Sequence, residues 1–186
     1  MSTVKNYLSL VKFSHTIFAL PFALIGFVLG IAALNHSSVS IETTEIALRF
    51  FLVLLCMVTA RSAAMGFNRY LDRHFDQLNP RTAIREIPAG IIKAEKALRF
   101  VVINCLVFLM ATYFINPICF YLAPVALFVI LFYSYTKRFT YLCHLVLGIG
   151  LSLAPIGAYL AVTGTFDLLP LLFSLYYTQQ PFLIQN

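Results

Sequence analysis

Charged residues are scarce in this chain, and their scarcity excludes several classes of protein. Asp, Glu, Lys and Arg make up 11% of the 186 residues, whereas a soluble globular domain carries about 25%. Hydrophobic residues reach 61%, and the mean hydropathy is +0.88. This composition excludes a disordered chain, a secreted disulfide-linked scaffold and an ordinary cytosolic enzyme. It predicts a multi-span membrane protein instead.

The sequence also lacks the common motifs of metal and redox centres. Each of the four cysteines lies inside an apolar run, and no two of them form a CxxC pair. The four histidines show no HExxH or comparable spacing. We therefore predict buried structural thiols and no zinc, haem or iron–sulfur site.

Long apolar runs fill most of the chain and predict an all-α bundle of transmembrane helices. The first run is longer than the about 7–15 residues of a secretory signal peptide, so a retained span is predicted. Asn116 and Pro117 separate two runs, which predicts a helical hairpin. The predicted full spans are 16–34, 46–67, 100–115, 118–135 and 141–162, followed by a partial sixth at 166–177.

The positions of the basic residues indicate how the bundle is oriented. Lys and Arg are concentrated before the first span, in the loop 68–96 and between the fourth and fifth spans, whereas the opposite loops carry Glu42, Glu45 and Asp167. The positive-inside rule predicts that the N-terminus and the loop 68–96 are cytoplasmic; the membrane is separately expected to be a bacterial inner membrane. Because the net charge of +6 comes from these clusters between apolar runs, it does not predict nucleic-acid binding.

A polar stripe marks the end of the second span. Asn68, Asp72 and Asp76 recur every four residues, and at about 100° per residue they remain on one side of a helix. Arg61 precedes Asp72 by eleven residues and points within about 20° of the same direction. An arginine, an amide and two carboxylates are therefore expected to face the bundle interior or a water-filled cavity.

The chemistry of this stripe favours a magnesium–phosphate site. Mg²⁺ prefers oxygen ligands and is usually held by one or two carboxylates together with substrate phosphates. Asn68 and Asp76 are about 12 Å apart along a straight helix, so the spacing favours metal-bridged phosphate groups over a single protein cage. Neighbouring arginines offer bidentate phosphate contacts. The alternative is a charged loop whose aspartates pair with its own arginines.

Three segments resemble motifs of the UbiA family of intramembrane prenyltransferases. Residues 61–76, RSAAMGFNRYLDRHFD, resemble the first aspartate-rich motif of that family. Residues 79–90, NPRTAIREIPAG, resemble its N-x-R-T-x-x-R-x-(hydrophobic)-P-x-G loop, and residues 133–140, YSYTKRFT, resemble its Y-x-x-x-K-R-x-T loop. The likeness extends over nearly all of residues 7–165, and within the family the sequence looks most like the 4-hydroxybenzoate polyprenyltransferases of quinone biosynthesis.

The resemblance implies Mg²⁺-dependent transfer of a polyprenyl group from a polyprenyl diphosphate to an aromatic acid such as 4-hydroxybenzoate. Asp72 and Asp76 are expected to be catalytic, and Arg61 to orient the acceptor or to organise the aspartate stripe; the alternative for Arg61 is an interhelical hydrogen bond. The residues implied for magnesium are Asn68, Asp72 and Asp76. Those implied for the diphosphate are Asn68, Arg69, Lys137 and Arg138.

The resemblance also implies about nine spans and a second aspartate-rich motif after the sixth. The chain reaches Asn186 before such a motif, so we expect residues 1–186 to form a single UbiA-like membrane domain that is incomplete at its C-terminus. Two alternatives remain: an inactive prenyltransferase fragment, and a small transporter or channel subunit that uses the acidic stripe as a cation path. A transporter more commonly places its ionisable residues near the bilayer midplane.

The orientation can be tested with a membrane-impermeant thiol reagent on single-cysteine variants in which the native cysteines are replaced by alanine. A cysteine at Asn79 or Thr136 is expected to react from the cytoplasmic side, and one at Ser38 or Thr165 from the opposite side, because the basic loops remain inside. Labelling of residue 79 from the outer face contradicts this orientation.

Overall fold

The computed structural model describes residues 3–11, 20–36, 42–137, 143–168 and 172. Within these residues it contains no strand, which agrees with the predicted all-α fold. The helices are α1 Thr3–Leu10, α2 Leu20–His36, α3 Thr43–Leu78, α4 Ala94–Ile115, α5 Pro117–Thr136 and α6 Cys143–Thr163.

Three of the described helices are long and apolar enough to cross a membrane. They are α3, α4 and α5, with 36, 22 and 20 residues. The helix α2 and residues 148–163 of α6 are shorter apolar helices. Each of the five predicted full spans coincides with one of the helices α2 to α6, although residues 12–19 and 141–142 lie outside the described residues. Of the predicted sixth span, 166–177, eight of the twelve residues lie outside them.

The predicted hairpin between the third and fourth spans is confirmed. Asn116 is the one residue between α4 and α5, and its backbone is extended. Its Oδ1 accepts a hydrogen bond of 2.7 Å from the backbone N–H of Cys119, which caps the start of α5. The next residue is Pro117. Proline is favoured at the first position of a helix, because an N–H group at that position has no acceptor within the helix and its absence costs nothing.

One end of the bundle, which we call the turn end, contains Asn116 and the last turn of α6. Side chains from outside α6 form hydrogen bonds with the carbonyl oxygens of that turn. Asn116 donates from Nδ2 to the carbonyl oxygen of Leu160 over 2.8 Å. Arg49 of α3 donates to the carbonyl oxygens of Ala161 and Val162 over 3.2 and 2.5 Å. The last four carbonyls of a helix have no partner within it. These contacts satisfy three of them and hold α3, α4, α5 and α6 together.

Two glycines bring α2 and α6 into close contact. A Cβ atom added to Gly26 lies 2.1 Å from the carbonyl oxygen of Pro155, and one added to Gly30 lies 2.8 Å from the Cβ of Val162. Gly26 and Gly30 are four residues apart, the spacing at which small residues let membrane helices approach closely. The backbone of α6 therefore packs directly on the backbone of α2 at Gly26.

The opposite end, which we call the loop end, carries residues 79–93 and is covered by α1. Ser9 donates a hydrogen bond of 2.5 Å to Oε1 of Glu86, and the ring of Tyr7 stacks on that of Phe100 at 5.0 Å. An isolated helix of eight residues is not stable in water, so packing on this end stabilises α1. The buried side chains between them are Leu10, Ile87, Ile92 and Ala97.

The close approach of α2 and α6 predicts a difference between two glycine substitutions. Gly26→Ala is expected to cost about 1–3 kcal/mol of unfolding free energy, because the new methyl group meets backbone atoms that cannot turn aside. Gly157→Ala is the matched control: no described atom lies within 4 Å of its added Cβ, and alanine favours a helix by about 0.5–1 kcal/mol.

The measurement is the apparent melting temperature in detergent, followed by a dye that reacts with the buried thiol of Cys119. Gly26→Ala is expected to lower the melting temperature and Gly157→Ala to maintain or raise it. Equal melting temperatures for Gly26→Ala and the wild type contradict the tight contact.

Candidate functional site

An amide, a carboxylate and an ammonium group meet at the loop end. Lys137 directly follows α5, and its Nζ contacts both Oδ1 of Asn68 and Oδ2 of Asp72 on α3. Asn68 and Asp72 are one turn apart, so a single ammonium can reach both oxygens. The side chains of Lys137 and Asp72 are only 25% and 16% exposed. The structure thus brings together predicted residues from two segments that are far apart in sequence.

Asp76 takes part in a separate ion pair. Nη1 of Arg85 lies 2.7 and 2.8 Å from the two carboxylate oxygens of Asp76, and Asp76 is only 7% exposed. Eight residues of helix rotate Asp76 by about 80° relative to Asn68. The predicted stripe therefore divides into two parts: Asn68 and Asp72 face Lys137, and Asp76 faces the loop 79–93.

Two arginines of α3 carry N–H groups that have no acceptor among the described residues. Nη1 of Arg69 is buried without a partner, in a side chain that lies seven residues before Asp76 and so shares its side of the helix. Nε of Arg61 is likewise buried without a partner. Arg61 precedes Asn68 by seven residues, or about 10 Å along the helix axis. Buried donors of this kind call for an explanation, and a guanidinium is well suited to bind an anion.

The other arginines of this region are engaged or exposed. Arg73 donates from Nη1 to the carbonyl oxygen of Tyr70 over 2.7 Å, and its guanidinium lies 4.4 Å from the centre of the Tyr70 ring. Arg81 is exposed. Arg138, which the resemblance assigns to the diphosphate, lies outside the described residues.

The side-chain oxygens at this site are too few to hold a metal ion alone, but they could hold one that is also bound by a phosphate ligand. Among the described residues there is no group of three or more His, Cys, Asp and Glu side chains that could hold a metal ion. The oxygens of Asn68 and Asp72 nevertheless converge on one positively charged atom, Nζ of Lys137. Two hard oxygen donors that converge on a cation match the preference of Mg²⁺, which takes its remaining ligands from water and phosphate.

Comparison with known proteins agrees with the predicted resemblance. The model of the UbiA prenyltransferase family matches residues 15–184. The 4-hydroxybenzoate octaprenyltransferase of Tolumonas auensis is 38% identical over 104 residues, which are 56% of this chain and 36% of that protein. Its counterpart in Vesicomyosocius okutanii is 33% identical over 108 residues, which are 58% of this chain and 40% of that protein. The chain thus matches less than half the length of these curated relatives.

The fold of this chain is similar to part of two solved structures. The apo structure of a UbiA homologue from Aeropyrum pernix K1 is 29% identical, with a TM-score of 0.72 over 90% of this chain and 58% of that one. A structure of digeranylgeranylglyceryl phosphate synthase is 20% identical, with a TM-score of 0.77 over 97% of this chain and 60% of that one; at this identity the likeness concerns the fold alone. With the apolar helices and the three motifs, these matches show that the chain is an integral membrane protein of the UbiA prenyltransferase family.

Proposed function

We propose that this protein transfers a polyprenyl group from a polyprenyl diphosphate to an aromatic acid, with 4-hydroxybenzoate as the first candidate. The observation that carries the proposal is the contact of Lys137 Nζ with Asn68 Oδ1 and Asp72 Oδ2. It joins residues of two family motifs at the polar end of an apolar bundle. The names of the matched relatives support the choice of donor and acceptor.

In this proposal the loop end faces the cytoplasm of a bacterial cell, and Asn68 and Asp72 hold Mg²⁺ together with the diphosphate. Bound Mg²⁺ supplies positive charge to the leaving diphosphate. The donor set supports this assignment, since both oxygens already surround one cationic atom. Asp76 is the third predicted metal ligand, and its carboxylate is occupied by Arg85; we therefore assign Asp76 a positioning role.

The remaining cationic side chains receive the diphosphate and the acceptor. Lys137 and Arg69 donate hydrogen bonds to phosphate oxygens, with Arg138 as a further candidate from the sequence. The bond between the allylic carbon and the diphosphate oxygen breaks, a ring carbon of the acceptor attacks the allylic carbon, and the ring then loses a proton. The unpaired Nε–H of Arg61, deeper in the bundle, binds the acceptor carboxylate. Apolar walls keep water from the allylic cation.

The first test compares two Asp→Asn substitutions at opposite ends of the bundle. Asp72→Asn removes the charge that faces Lys137 and is expected to lower transfer from farnesyl diphosphate to 4-hydroxybenzoate by about 10²-fold or more, as is usual for a lost electrostatic contact. Asp167→Asn is the matched control, because Asp167 accepts a hydrogen bond from Tyr159 over 3.0 Å beyond α6, at the turn end.

Prenylated product is measured in membranes that contain equal amounts of each variant, with Mg²⁺ and with chelator. Asp167→Asn is expected to retain the wild-type rate. Full activity of Asp72→Asn, or activity that chelator leaves unchanged, overturns the proposed site.

The positioning role of Asp76 predicts a structural effect on the loop 79–93. Asp76→Ala leaves the guanidinium of Arg85 without its carboxylate partner, and the broken ion pair is expected to loosen the loop. Amide hydrogen exchange in residues 79–93 should become at least about tenfold faster, because local opening becomes easier. Arg81→Ala is the control, since the Arg81 side chain is exposed on the same loop. Unchanged exchange in Asp76→Ala contradicts a positioning role.

A further inference from the structure

Ser134 is the most deeply buried hydroxyl-bearing side chain of the described residues, and it has no hydrogen-bond partner. It is only 1% exposed, and its Oγ makes no hydrogen bond within the described part of the chain. Buried polar groups are nearly always paired, and an exception in a folded protein points to strain or to a functional role.

Five other buried or half-buried hydroxyls on the described helices bond to a carbonyl oxygen three or four residues earlier, over 2.7–3.1 Å. This contact is open to any serine in a helix. Thr136, two residues after Ser134, makes it with Tyr133, whereas Ser134 does not. The hydroxyls that make it are those of Thr59, Thr112, Thr136, Ser152 and Thr163.

Ser134 also lies beside the candidate site. It precedes Lys137 by three residues. The backbone of Lys137 continues the helical conformation at the end of α5, so the two side chains are neighbours on one side of this last turn. Side chains of a helix lean toward its N-terminus, which brings Nζ of Lys137 back toward the turn that carries Ser134. That Nζ contacts Asn68 and Asp72. The unused hydroxyl is therefore adjacent to the cluster that the proposed function assigns to the diphosphate.

We propose that Ser134 donates a hydrogen bond from Oγ to a phosphate oxygen of the bound prenyl diphosphate, beside the contact made by Lys137. This inference rests on the proposed function and adds to it a neutral donor on the membrane side of Lys137. A hydroxyl is a suitable donor at this depth, because it carries no charge that would have to be desolvated. Its hydrogen bond to an anionic oxygen is charge-assisted and hence stronger than one between neutral groups.

The test compares Ser134→Ala with Ser152→Ala, a second buried serine, whose hydroxyl bonds to Ile149 over 2.7 Å. Binding of inorganic diphosphate and of farnesyl diphosphate is measured with Mg²⁺ on the purified full chain in detergent. Ser134→Ala is expected to bind both ligands about tenfold more weakly than the wild type, and Ser152→Ala to bind them with wild-type affinity.

Melting temperatures without diphosphate separate a binding role from a structural one. Ser134→Ala removes a buried hydroxyl that has no partner, so its melting temperature is expected to equal or exceed that of the wild type. A lower melting temperature, unchanged diphosphate affinity, or a change confined to the affinity for 4-hydroxybenzoate overturns the inference.

A third variant, Lys137→Met, shows whether a negative result concerns only the role of Ser134 or the proposed function as a whole. If Lys137→Met weakens diphosphate binding and Ser134→Ala does not, only the role of Ser134 is wrong. If neither substitution affects binding, both the site and the role of Ser134 are wrong.

Discussion

The bilayer interior disfavours an ionisable side chain unless its charge is partnered or reaches water, and the ion pairs of the described residues lie at the two ends of the bundle. At the loop end the ion pairs are Asp72–Lys137 and Asp76–Arg85. At the turn end Arg49 binds the terminal carbonyls of α6. The turn-end contacts satisfy helix termini, and the loop end concentrates the groups that can bind an anion and a cation together.

The length of α3 makes this arrangement possible. Its 36 residues extend about 54 Å at 1.5 Å per residue, whereas the hydrocarbon core is about 30 Å thick. One continuous helix therefore spans the apolar core and carries Asn68, Asp72 and Asp76 on its last turns. In the proposed function, the prenyl chain lies along the apolar helices and its diphosphate stays at the polar end.

What the sequence could predict depended on how local the determining interactions are. The hairpin at Asn116 follows from residues next to one another, and the common side of Asn68 and Asp72 follows from helix geometry. We predicted that Asp76 lies on the same side of the helix as Asn68, but the rotation of about 80° between them separates the two side chains. Arg85, the partner of Asp76, belongs to a loop whose path no periodicity describes. The helix α1 is stabilised by contacts with Glu86 and Phe100, which are far away in sequence. The eight residues of α1 alone therefore did not predict a helix.

The missing hydrogen bond of Ser134 could not have been read from sequence, because it is a property of a side-chain rotamer in a packed bundle. Ser134 lies on one of the two sides into which the site divides. On one side Asn68 and Asp72 of α3 contact Lys137 at the end of α5. On the other, Arg69 lies near a loop that the Asp76–Arg85 ion pair holds in place. In the proposed function, a diphosphate contacts Lys137 and Arg69 together and so bridges the two sides of the site.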